Sequence, residues 1–159
     1  IVAFTRAVSE PGNAITASVQ KVIDENKKKK KQLEEFQKEK TIQLKKSLAD
    51  NIQSIGDIKV ISAVLPISAN VARDLAFQLR GEITEKLIIA IGSVDADKPL
   101  LTVSVSDDLT QQYNAGQLVR EAAKLIQGGG GGQAHYATAG GKNKDGLQQA
   151  VDSIIEKIH

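Results

Sequence analysis

Five consecutive glycines, Gly128 to Gly132, and a second pair, Gly140 and Gly141, bracket a run of small residues late in the 159-residue chain. Glycine loses more backbone freedom on folding than any other residue, so this density in a folded domain needs a cause. One cause is a helix stop or tether, for which one or two glycines suffice. Another is close approach of bare main chain to something large, such as a nucleic-acid backbone or base edge. Recognition then runs through amides and shape. The neighbouring residues offer partners for the second role. Lys142 and Lys144 flank the segment at an expected helix start and can serve phosphates as point charges. Arg120 and Lys124 stand one turn apart on the helix leading into it, and His135 is a ring that can stack on a base. Each also reads as an ordinary surface residue, with Arg120 pairing to Glu121.

Other chemistries fail on the residues present. A Walker loop ending at Gly141-Lys142 needs glycine where Tyr136 stands and Ser or Thr where Asn143 stands. The dinucleotide fingerprint needs glycine at Gln133, and the element before the glycines reads as a helix rather than a strand. There is no cysteine, and the two histidines are His135 and the terminal His159. No metal-ligand set, Ser-His-Asp arrangement or paired-carboxylate site is legible. Tyr113 and Tyr136 are too few for the aromatic surface that single-strand binders use. No catalytic residue and no metal or other cofactor is expected in this piece.

The elements that must position these residues follow from periodicity. Ser9-Glu10-Pro11-Gly12-Asn13 reads as a breaker cluster with Asn13 as a helix cap. From Ala14 to about Ile55 there is neither Gly nor Pro, and apolar residues recur three or four apart at Val19, Val22, Ile23, Leu33, Phe36, Leu44, Leu48, Ile52 and Ile55. That predicts a helix of about 60 Å at 1.5 Å per residue. It either projects, pairs with a partner helix, or folds back near the lysine run. Ile58 to Leu65 predicts a strand. Ser68 or Asn70 opens a helix closed by Gly81, carrying Val71, Leu75 and Leu79. Leu87 to Ile91 predicts a strand buried on both faces. A turn at 95–99 then joins it to an alternating strand, 101–105. Ser106-Asp107-Asp108 is expected to cap a helix reaching about Gln127. Ala134 to Thr138 is a short strand, and Asn143 or Asp145 caps a last helix with Leu147, Val151, Ile154 and Ile158 on one side. The fold class is α+β with α/β character: a long helix or helical hairpin, then a small globule with a mixed sheet packed by helices. The domains are 1–13, the exit from an upstream domain; 14–55, a helical spacer; and 56–159, a glycine-rich-loop globule.

The net charge of +2 hides a segregation. Between Thr16 and Ser54 ten lysines face six acidic residues, an excess of four, which leaves the rest of the chain at −2. Lys27 to Lys31 can neutralise phosphates or form a solvated helix face. No apolar run reaches the roughly 18 residues that cross a bilayer, so no membrane role is expected. The absence of cysteine fits a cytoplasmic setting. With Ile1 at its start and no Met, the chain reads as a fragment.

The stretch "GGGGGQAHYATAGGKNKDGLQQAV" resembles the C-terminal domain of alanyl-tRNA synthetases, where a glycine run precedes a small-residue segment ending in A-x-A-G-G and then a helix. "LVREAAKLIQGGGGG", "LTVSVSDDL", "LAFQLRGEI" and "DIKVISAVLP" are similar to segments of that family in the same order. "ITASVQKVIDENKKKKKQLEEFQKEK" is similar to its long helical region. The segment Gln133-Ala134-His135-Tyr136 departs from the family, many members of which carry Arg or Lys, Pro and Asp there. The resemblance implies a part of an ATP-dependent ligase that charges tRNA with alanine and edits mischarged tRNA in a separate zinc-dependent domain. ATP, Mg and Zn would belong to that parent. It implies a domain that holds the tRNA elbow, where the D and T loops meet, and links aminoacylation to editing. The tRNA-facing residues would be Gly128, Gly129, Gly130, Gly131, Gly132, His135, Gly140, Gly141, Lys142, Lys144, Arg120 and Lys124. The helical part would support a homodimer. The alternatives are the accessory substrate-binding domain of DHH-type phosphoesterases, a free-standing editing protein as parent, and a purely dimerising domain.

Overall fold

Leu87 to Asp95 forms a strand whose first seven residues are all buried, because helices cover both faces of the sheet at this strand. The structure, a computed structural model, describes the backbone of residues 2–158 and the side chains of residues 15–158. The expectations for His159 and for the side chains of Ser9 to Asn13 lie outside the described residues. The elements are α1 (Val2–Asp50), β1 (Gln53–Ile55), β2 (Ile58–Leu65), α2 (Ala69–Glu82), β3 (Leu87–Asp95), β4 (Lys98–Val105), a 3-10 turn (Asp107–Leu109), α3 (Ala115–Ala122), β5 (Gly129–Gly132), β6 (Tyr136–Gly140) and α4 (Leu147–Ile155). One mixed sheet has the order β1-β2-β3-β4-β6-β5, with β2 and β3 parallel and every other pair antiparallel. The α+β class is as expected.

The chain divides into two units, residues 1–42 and 43–159. In the first, α1 is uninterrupted through Ser9–Asn13 and through Lys27–Lys31, so neither the breaker cluster nor a fold-back of the helix is found. A single internal proline forfeits one hydrogen bond and strains one turn. The long Gly- and Pro-free stretch after it sustains the helix. Ile15, Val19, Val22, Ile23, Leu33, Phe36 and Ile42 are exposed along it. In the second unit, α1 ends at Asp50, and Gln53–Ile55 is a strand instead of further helix. Ile52 and Ile55 keep helical spacing but take their partners from the sheet, and Ile55 pairs with Ile58 around Gly56 at φ +60°.

The core of residues 43–159 lies on both sides of the sheet. On one side Val60, Ile88, Ala90, Leu101, Val103, Ala137 and Ala139 pack under α3 and α4. On the other, Ile61, Leu87, Ile89 and Ile91 pack under Leu75, Ala76 and Leu79 of α2 and Leu48 at the end of α1. The β3–β4 hairpin turns through Ala96 (φ 48°) and Asp97 (φ 64°), between the paired residues Asp95 and Lys98. Two positive φ values mark a type I′ turn, which favours Asn or Gly first. Alanine is strained there, so Ala96→Asn is expected to raise stability by about 0.5–1 kcal/mol in denaturant unfolding.

Three expected elements are corrected. Ser106 caps no long helix: its hydroxyl accepts from the Leu87 N–H at 3.0 Å, and only a 3-10 turn follows. The helix starts later, at Asn114, whose Oδ1 accepts from Gly116 and Gln117, and it ends at Ala122. The glycine run is the edge strand β5 instead of a loop, paired to β6 over 136–140. The last helix begins at Leu147; Asn143 and Asp145 do not cap it, and Asn143 Oδ1 instead accepts from the Asp145 N–H. Among the described residues no helix is long and apolar enough to cross a membrane.

Candidate nucleic-acid interface

The five glycines divide by position. A Cβ at Gly128, Gly130 or Gly132 would overlap the carbonyl oxygens of Gly140, Thr138 and Tyr136 respectively. These three are glycine because β5 lies closer to β6 than side chains permit. A Cβ at Gly129 would meet nothing within 4 Å, and at Gly131 the nearest atoms would be Nε and Nη2 of Arg120 at 3.6 Å, an ordinary contact. Internal packing therefore accounts for glycine at 128, 130 and 132 and leaves 129 and 131 without a structural cause. Neither residue has a positive φ. All five are exposed except Gly131, which is half-buried. The strand is thus a surface of bare main chain, neither sealed in the core nor covered by side chains of its own.

The other expected contact residues fall into two groups. Arg120 is exposed, with its guanidinium beside Gly131. It does not share Glu121, which pairs with Lys157. Lys124 is exposed but lies past the end of α3, so the two cations do not stand on one helix as expected. Lys142 is exposed, and its N–H donates to the Ile126 carbonyl at 2.9 Å. A Cβ at Gly140 would touch Leu100 Cδ2 at 3.4 Å without overlap, whereas a Cβ at Gly141 would overlap the Ile126 carbonyl, so Gly141 serves packing. Lys144 Nζ is 3.0 Å from Asp97 Oδ1 at the β3–β4 turn, and this hydrogen bond and charge raise its pKa. His135 is half-buried in the β5–β6 turn, where its carbonyl accepts from Val105 N–H at 2.9 Å. Its main chain is tied to the sheet.

The structure also assembles a cluster that residue counting misses. Tyr136 stacks on Phe77 of α2, with ring centroids 5.2 Å apart and planes 23° apart. The Arg73 guanidinium lies over Phe77 at 5.6 Å, and Phe77 is 44% exposed. The tyrosines are too few to form an aromatic surface by themselves, and the second ring comes from a helix far away in sequence. The one available signal is the four-residue spacing of Arg73 and Phe77, which puts both on one side of α2. Burial pushes the Tyr136 hydroxyl above its ordinary pKa, against the opposing pulls of the Arg73 charge and a hydrogen bond to Thr102. It is neutral at physiological pH. Among the described residues no three His, Asp or Glu side chains form a metal-binding cluster.

The DHHA1 domain family matches residues 57–159. An alanine–tRNA ligase from Bacteroides fragilis is 57% identical over 140 residues, covering 87% of this chain and 16% of that protein. The chain therefore spans 16% of the length of this curated relative. Among solved structures, the C-Ala domain of Aquifex aeolicus alanyl-tRNA synthetase superposes with a TM-score of 0.62 at 30% identity, covering 68% of this chain and 97% of that one. A DHH-domain member of the s1p family of ribosomal proteins superposes with a TM-score of 0.52 at 11% identity over 76% of this chain and 30% of that one, a likeness of fold alone.

Proposed function

We propose, from the premise that the chain belongs to the DHHA1 domain family in the form that alanyl-tRNA synthetases carry as their C-Ala domain, that it grips the elbow of alanine-specific tRNA. The parent would be an ATP-dependent alanine–tRNA ligase of the cytoplasm, using ATP with Mg and holding Zn in domains outside this chain. Residues 1–13 would lead from the editing domain, α1 would act as spacer, and the sheet unit would present one tRNA to both active sites. The observation that carries this reading is the bare main chain at Gly129, exposed, and Gly131, half-buried beside Arg120, where nothing inside the domain requires glycine. Bare amides admit a sugar-phosphate backbone closely, and Arg120 beside them supplies charge. Of the other expected contacts, Lys124, Lys142 and Gly140 stay available, while Lys144 must first leave Asp97.

The test is a salt-dependent binding titration with alanine tRNA and with a minihelix that lacks the elbow. Full tRNA is expected to bind tighter by about tenfold or more, with affinity falling as salt rises. Equal affinities would overturn the elbow assignment. In the parent enzyme, removing residues 43–159 is expected to weaken tRNA capture and seryl-tRNA hydrolysis while ATP–pyrophosphate exchange persists.

The apolar stripe on α1 favours a second, compatible role in pairing with another copy. Lys27–Lys31 is followed by Glu34, Glu35 and Glu39, so an antiparallel partner offset by a few residues sets acids against lysines. Concentration-dependent association in sedimentation is expected, and Leu33→Glu with Phe36→Glu should abolish it.

A further inference from the structure

Beside β5 the sheet carries an open recess of about 450 Å³, lined by Asn70 and Arg73 of α2, Thr102 of β4, Tyr136 and Thr138 of β6, and Gly129 of β5. It exists because α2 covers the middle strands and stops short of the β6–β5 edge. Its size falls in the range of small-ligand sites, roughly 300–1,000 Å³. Its chemistry is mixed: a ring and a guanidinium that offer flat surfaces, the Thr138 hydroxyl and the Asn70 amide that offer hydrogen bonds, Thr102 buried at the floor and bonded to Tyr136, and no acidic group among the lining residues. Phe77 backs one face of Tyr136, so the ring is held in place before any ligand arrives. Gly129, the glycine with no internal cause, forms part of the rim.

We infer that this recess receives one unstacked nucleobase of the bound tRNA, held against the Tyr136 ring and the Arg73 guanidinium while its edge meets Thr138 and Asn70. The inference rests on the tRNA reading above and adds a site to it. Stacked aromatic and guanidinium planes suit a base without regard to its identity. A missing side chain at 129 leaves the adjoining backbone free to pass over the rim. The main-chain strand then carries the phosphates, and the recess fixes the register of the RNA upon it.

The chain has two tyrosines and no tryptophan, so 3-fluorotyrosine labelling gives two fluorine resonances, from Tyr113 and Tyr136. On titration of the full chain with alanine tRNA, the Tyr136 resonance is expected to shift and the Tyr113 resonance to stay. If tRNA binds by fluorescence anisotropy and Tyr136 stays unmoved, the recess assignment is overturned while the tRNA reading stands. If tRNA does not bind at all, it is the tRNA reading that fails. A shift of the same size with AMP alone at about 1 mM, the weak end of ligand affinity, would assign the recess to a free nucleotide and overturn its place in the RNA surface. Among variants, Tyr136→Phe is expected to bind tRNA within about twofold of the parent chain, and Tyr136→Leu about tenfold weaker. The slope of log affinity against log salt should be unchanged, since stacking releases no counterions. A slope reduced by about one would mark an ionic contact instead and defeat the stacking. The fluorine measurement needs no variant and holds even if Tyr136→Leu does not fold.

Discussion

Gly130→Val is expected to destabilise residues 43–159 by about 3 kcal/mol or more, whereas Gly129→Ala, one position away, is neutral or mildly stabilising. At Gly130 the added carbon would meet the Thr138 carbonyl oxygen and the Cα and Cβ of Ala139, which are part of a strand already paired on both sides. Backbone in a ladder cannot shift by an ångström without losing its hydrogen bonds, so the overpacking cost lies at or above the usual range of roughly 1–3 kcal/mol. Ala137 and Ala139 would also be uncovered if β5 detached, opening the core under α3. At Gly129 the space is empty and φ is not in the left-handed region, so alanine adds no clash. It also restricts the unfolded chain, a gain of up to about 1 kcal/mol. Thermal unfolding should separate the two variants by on the order of 10 °C. Identical melting would mean that β5 does not lie against β6 as described, and the division of the glycines into two classes would lose its basis.

That division is invisible in the sequence, where the five glycines look alike. Periodicity makes α2 and β4 legible because each has a dominant face, Val71, Leu75 and Leu79 on one and Leu101, Val103 and Val105 on the other, while β2 and β3 are legible as apolar, β-branched runs. Glycine has no side chain to declare a face and little strand propensity, so β5 exists only because β6 is there to pair with. The same holds at the end of α1, where Ile52 and Ile55 continue the helical spacing yet β1 is formed by pairing with β2. Ser106-Asp107-Asp108 has the composition of a cap, but the Ser106 hydroxyl is taken by Leu87, and Asn114 caps the later helix. The candidate site shows the same split. Lysines and glycines near one another in sequence can be found by inspection. The stack of Arg73, Phe77 and Tyr136 cannot, since it depends on α2 lying across the middle strands close enough to β6 for the Phe77 ring to reach Tyr136. Local chemistry is readable, and long-range juxtaposition requires the fold.

Glutamate at both open positions tests what those positions are for. Gly129→Glu with Gly131→Glu is expected to lower affinity for alanine tRNA on the order of 100-fold, about 2.7 kcal/mol, with the melting temperature almost unchanged. The first side-chain carbon meets no clash at either position, since a Cβ at 129 has nothing within 4 Å and one at 131 is 3.6 Å from Arg120. Each carboxylate would stand where a phosphate is proposed to pass, and the one at 131 would also engage the Arg120 guanidinium and withdraw it from the RNA. The salt dependence should become shallower, because one cation no longer displaces counterions. Lys144→Ala offers the contrast. That lysine is already held by Asp97, so its loss should cost little binding if the contact with Asp97 persists on RNA. The neutral Gly129→Ala variant separates bulk from charge: a modest loss there beside a large one for the double glutamate identifies electrostatic contact with the strand. Unchanged tRNA affinity in a folded double variant would show that RNA does not approach β5, and the glycines at 129 and 131 would then need another explanation.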